Sequence, residues 1–179
     1  WLKAIERFSR VIYSPANSNT RQTAYLGLGK AYVGLGQIDE AIEVWKRGLN
    51  DLKQQGMPIR LSLTETMLDH GRVEAARDWI DTLREQSMRV SARAYQSPAE
   101  FAAFAQIVDW LEARYQIAVG ATEKAIPLLV SISQSKVGNP ETRHAAMIAL
   151  AKIYSESKQW EAVCDELQQA LSIRQDDNE

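Results

Sequence analysis

Apolar side chains return along this chain every three or four residues. Tyr25, Leu28 and Tyr32 follow one another at that spacing, and so do Ala41, Trp45 and Leu49. At 3.6 residues per turn such positions share one helix face. The same rhythm carries Leu63 and Met67, Ala76, Ile80 and Leu83, Leu111 and Tyr115, Ala125 and Leu129, Leu150 and Tyr154, and finally Val163, Leu167 and Leu171. No segment alternates as a strand would. The pattern predicts nine helices, over 1–12, 19–35, 38–54, 57–70, 72–88, 98–119, 121–135, 140–157 and 159–173.

Punctuation agrees with these boundaries. Gly36, Gly71 and Gly120 each follow an apolar run, where a residue able to turn left-handed closes a helix. Ser97-Pro98-Ala99-Glu100 reads as a capping box with proline in the first turn, and Asn139-Pro140 opens the next helix by the same logic. Glu85 to Gln96 is then a linker or a ragged extension of the preceding helix. Pro127 falls inside a helical run, removes one hydrogen bond there and is expected to bend it.

The helices come in pairs that repeat. From Gln22 to Asn50, Tyr25, Leu28, Gly29 and Tyr32 precede Gly36, then Ala41, Trp45 and Gly48. This resembles the tetratricopeptide repeat, whose signature is an aromatic, a Leu-Gly pair, a Tyr, then a small residue and an aromatic. Gly29 and Ala41 are expected to face each other where two helices cross closely. Weaker copies follow, with Lys158 in place of the turn glycine and Val163 in place of the small residue in the last. The equivalent positions Ala4, Ala41, Ala76, Ala125 and Val163 stand 37, 35, 49 and 38 residues apart, against a family period of 34. The resemblance implies an all-α fold, a right-handed superhelix of antiparallel helix pairs forming one domain over 1–179. Its parts would be a half repeat over 1–18, repeats at about 19–56, 57–96, 97–138 and 139–174, and a polar tail over 175–179.

Composition narrows the function. With 45% hydrophobic and 25% charged residues, few Gly and Pro, and a net charge of -2, the chain suits a soluble helical protein. It offers no basic footprint for nucleic acid or an anionic membrane. No apolar run is long enough to span a bilayer. Cys164 is the one cysteine, so no intrachain disulfide is possible, and beside Val163 it reads as a small packing residue. His70 and His144 are scattered and read as solvated, so no catalytic, metal or cofactor site is expected. Gly27-Leu28-Gly29 interrupts a helical pattern rather than following a strand, which excludes a phosphate loop. Arg84, Arg89 and Arg93 lack the interleaved aromatics of a nucleic-acid platform. The chain starts at Trp1 rather than Met and is read as a piece of a longer protein. Its compartment stays open, with the cytoplasm ahead of the periplasm.

In the family that the chain resembles, the first helix of each repeat lines a concave groove that holds an extended peptide or a partner's helix. Carried onto this sequence, the inward spacing gives Leu26, Lys30 and Val33; Leu61, Glu65 and Leu68; Gln106, Asp109, Ala113 and Gln116; and Ala145, Ile148, Lys152 and Ser155. Family members that clamp a C-terminal carboxylate use Lys, Arg and Asn on these faces, whereas here Pro58 and Ala145 occupy two such places. The leading expectation is a non-catalytic scaffold or adaptor for a protein or peptide partner. One alternative is the helical arm of a larger transcriptional regulator or enzyme, which the long steps favour by likeness to maltose-activator-type regulators. Another is a self-associating segment, with the face around Trp1, Ile5 and Phe8 left uncovered.

Overall fold

The structure of the protein, a computed structural model, describes residues 1–52, 56–89 and 97–176. Among these residues it is all-helical, with nine helices and no strand: α1 Leu2–Ile12, α2 Ser18–Gly34, α3 Ile38–Leu52, α4 Met57–Asp69, α5 Val73–Arg89, α6 Pro98–Ala118, α7 Thr122–Gln134, α8 Pro140–Glu156 and α9 Trp160–Asp176. Each expected helix is present to within a few residues. Of the expected linker, 85–89 belongs to α5, while 90–96, with Arg93, lies outside the described residues. The tail beyond Asp176 lies outside them too.

Sequence chemistry sets the helix ends. Asn17 accepts the Thr20 N–H at 2.9 Å, Ser97 the Glu100 N–H at 3.2 Å and Asn139 the Glu141 N–H at 2.8 Å. Each side-chain oxygen satisfies a donor that the first turn leaves orphaned. Four helices end identically. Gly36, Gly71 and Gly120 take φ values of 74°, 70° and 77°, and Lys158 takes 57°. In each, the N–H after the left-handed residue reaches back five residues, as Gln37 does to the Tyr32 carbonyl at 2.9 Å and Gln159 to that of Tyr154 at 2.9 Å. This paired-bond turn caps the last carbonyls and reverses the chain into the next helix. Pro127 lies inside α7, which runs through it as one helix.

The chain divides into two compact units, Trp1–Trp79 and Ile80–Glu179, the division falling within α5. In the first unit α2 packs against α1, α3 and α4. Its core holds Leu28, Trp45, Ile59 and Leu63, each at most 2% exposed. Close packing comes from aromatics set on glycines. A Cβ at Gly29 would stand 2.2 Å from the Trp45 indole, and one at Gly48 2.7 Å from the Tyr25 ring. Gly29 thus seats Trp45, one turn along α3 from Ala41, because an indole needs the whole space that a missing side chain leaves. Trp45 Nε1 also donates to the Leu26 carbonyl at 3.4 Å. Phe8 of α1 and Trp1 just before it rest in the same manner on Gly27 and Gly34. The face expected to be uncovered is thus turned onto α2, although Trp1 stays 65% exposed.

In the second unit α7 packs against α6 and α8, and α9 against α8. Ala113, Ala125, Leu129, Ile132, Ala146, Leu150 and Ile153 form its core. Cys164, expected to pack, is exposed instead. It lies one residue past the half-buried Val163, about 100° further round the helix.

Candidate functional site

In the second unit the helices that open successive pairs, α6 and α8, lie side by side. Between them and the start of α7 is an opening of about 280 Å³. Ile117 and Ala118 of α6 and Ala149 and Ile153 of α8 form its apolar lining, while Arg114, Thr122, Lys152 and Glu156 add polar groups. Arg114 also stands over the Trp110 ring at 5.9 Å from its centroid, a position that anchors the guanidinium. Lys152 has no ion-pair partner among the described residues. An apolar floor with unpaired charge at its edge suits a short apolar segment of a polypeptide, the floor supplying affinity and the rim orientation.

The opening lies one residue along from the expected positions. Arg114 and Ile117 line it rather than Ala113 and Gln116, and Ala149 and Ile153 rather than Ile148; Lys152 alone belongs to both sets. Ala113 is fully buried in the core. Gln106 is buried as well, because its amide holds the loop between α7 and α8. Its Nε2 donates weakly to the Ile132 carbonyl at 3.5 Å and the Val137 carbonyl at 3.4 Å, and its Oε1 accepts the Asn139 N–H at 3.1 Å. Gly138, at φ 117°, fits against that amide. Gln116 donates to Glu112 Oε1 at 2.6 Å, and Arg84 pairs with the other oxygen of the same buried carboxylate at 3.4 Å. Beside them burial raises the Asp109 carboxyl above its usual range; the Arg84 charge opposes this and the Glu112 charge adds to it. Ser155 is tied to the Lys152 carbonyl at 2.8 Å. Ile148 is 43% exposed and does not line the opening.

In the first unit α2 and α4 also lie together. Lys30 is exposed, whereas Leu26, Val33, Leu61 and Glu65 are half-buried and Leu68 is buried at 9% exposure. Glu65 is already engaged within the protein. The sequence reading also missed a polar cluster at the far end of this unit. Asp51 accepts from Arg21 and from the Tyr25 hydroxyl, the latter at 3.2 Å, and Arg47 stands 5.8 Å from the centroids of both the Tyr13 and Tyr25 rings. Burial, then the Asp51 charge, raises the Tyr25 phenol above its usual value.

His70 is exposed at the end of α4 and His144 half-buried on α8. Among the described residues no group of His, Cys, Asp and Glu is arranged to hold a metal ion, and no helix is long and apolar enough to cross a membrane. No family model matches the chain, and no curated protein or solved structure matches it either.

Proposed function

We propose that the chain is a non-catalytic protein-binding scaffold of tetratricopeptide type. In this reading its helix pairs wind as one right-handed superhelical domain over 1–179 and hold a partner's peptide or helix against the first helix of each pair. The observation that supports it best is the opening between α6 and α8, which offers an apolar floor and an unpaired cation at Lys152. The side-by-side packing of α2 and α4 beneath Lys30 supports a similar surface in the first unit. The signature over Gln22 to Asn50 supports the family.

The test is a selection of peptides from a random displayed library against the immobilised chain, followed by calorimetric titration of the enriched peptide. Ile117→Asp and Lys152→Glu should weaken binding about tenfold, equivalent to about 1.4 kcal/mol. Lys30→Glu should do likewise for a peptide that reaches the first unit. Lys46→Glu on α3, which forms an exposed ion pair with Glu43 at 3.1 Å, serves as the control. If Lys46→Glu abolishes binding while the other variants bind normally, the surface is wrong.

A further inference from the structure

A half-buried notch flanked by exposed cations on the first helix and an exposed stripe on the last carry matching chemistry. On α9, Trp160, Cys164, Leu167 and Leu171 succeed one another at spacings of four, three and four, which draws one apolar stripe down a single face. All four are exposed, Trp160 at 63%, Leu167 at 41% and Leu171 at 61%. Scattered apolar side chains on a surface need no explanation, but an aligned set does. The helix already has its intramolecular contact, since it packs on α8 and Ala170 is buried. Along one flank of the stripe stand Glu161 and Asp165, exposed and without an ion-pair partner among the described residues.

On α1 a notch of about 370 Å³ is lined by Ala4 and Phe8 with Lys3 and Arg7. Both cations are exposed and have no ion-pair partner among the described residues. Lys3 and Arg7 are one helical turn apart, as are Glu161 and Asp165. Four residues at 1.5 Å of rise place each pair about 6 Å apart along its axis. Each charge also adjoins an apolar-face residue in sequence: Lys3 with Ala4 and Arg7 with Phe8, against Trp160 with Glu161 and Cys164 with Asp165. Laid along one another, the two helices can therefore close both ion pairs while apolar side chains meet beside them.

We propose that α9 of one copy of this chain docks on the α1 notch of a second copy, head to tail. A helix from another protein could satisfy one surface, whereas a second copy satisfies both, because the chain carries each half of the match. The contact joins different patches on the two copies, so it can close reciprocally into a two-fold dimer or continue into a ring or an open chain. This inference stands apart from the groove reading, and either can fail without the other.

Sedimentation equilibrium of the chain in reducing buffer tests it. At low salt the average mass should rise above 20.2 kDa as concentration increases, with association detectable below about 1 mM. At 1 M salt, where charges are screened within about 3 Å, it should fall back toward one chain. The double variant Lys3→Glu/Arg7→Glu should be monomeric, and so should Glu161→Lys/Asp165→Lys, each losing at least about tenfold in affinity. Mixed together, the two should associate again, since each then offers what the other lacks. Trp160→Ala should weaken assembly without changing the salt response. Circular dichroism of all variants should match the parent, because every altered side chain is exposed. A parent chain that stays at 20.2 kDa throughout overturns the proposal, as does assembly indifferent to both reversals or a mixture that remains monomeric.

Discussion

Replacing Lys158 with glycine should make the protein more stable, although it deletes a side chain and adds none. Lys158 occupies the position that Gly36, Gly71 and Gly120 hold in the other paired-bond turns, at φ 57°. A left-handed conformation costs a residue with a Cβ about 1–2 kcal/mol. Glycine avoids that cost but surrenders more freedom on folding, about 0.5–1 kcal/mol. The side chain is exposed and forms no hydrogen bond or ion pair among the described residues, so nothing else enters the balance. The net gain for Lys158→Gly is therefore about 0.5–1 kcal/mol. For a chain of this size that raises Tm by about 1–4 °C.

Three mirror substitutions sharpen the test. No atom lies within 4 Å of a Cβ added at Gly36, Gly71 or Gly120. Alanine there meets only the backbone penalty, and each variant should lose about 1 kcal/mol. Thermal melts followed at 222 nm and urea titrations give both signs, and the Lys158 change belongs to the transition of the Ile80–Glu179 unit. A midpoint that falls on Lys158→Gly, or stays level while Gly120→Ala falls, would refute the assignment of one turn geometry to both sites.

Gly29→Ala should destabilise by about 1–3 kcal/mol in urea titration, since its Cβ would stand 2.2 Å from the fully packed Trp45 ring, and Ala41→Leu at a site with 0% exposure should cost a similar amount. Gln106→Ala should cost about 1–3 kcal/mol by orphaning the Asn139 N–H; faster amide exchange at Asn139 would report it. Asp109→Asn should stabilise at neutral pH, because burial raises its folded-state pKa. The cost of ionising it is absent below the unfolded value of about 4 and grows as pH rises through the folded one. Melts of parent and variant at pH 3 and pH 7 should converge at the lower value, and a gain that persists there would contradict the account.

The helices were legible because their signals are local. Periodicity reports which side of a helix is apolar, and Asn17, Ser97, Asn139, Gly36 and Gly71 mark ends through bonds only a few residues long. The lining of the opening between α6 and α8 was not legible in this way, and it falls one residue along from the expected inward positions. Polar Gln106 and Gln116 look like surface side chains in a helical wheel, and only tertiary contacts reveal that Gln106 holds a loop more than two dozen residues away and that Gln116 serves a buried carboxylate. The exposure of Cys164 escaped for the same reason, since which flank of α9 meets α8 is decided by packing. The notch on α1 could not be anticipated, because it depends on Phe8 leaning onto Gly27.

The seating of Trp45 on Gly29 also ties the histories of two positions together. A methyl group at Gly29 has nowhere to go until the indole shrinks, and a smaller residue at Trp45 leaves a void until Gly29 grows. Neither change is tolerated easily first, and the pair should show a coupling energy of about 0.5–3 kcal/mol in a double-mutant cycle.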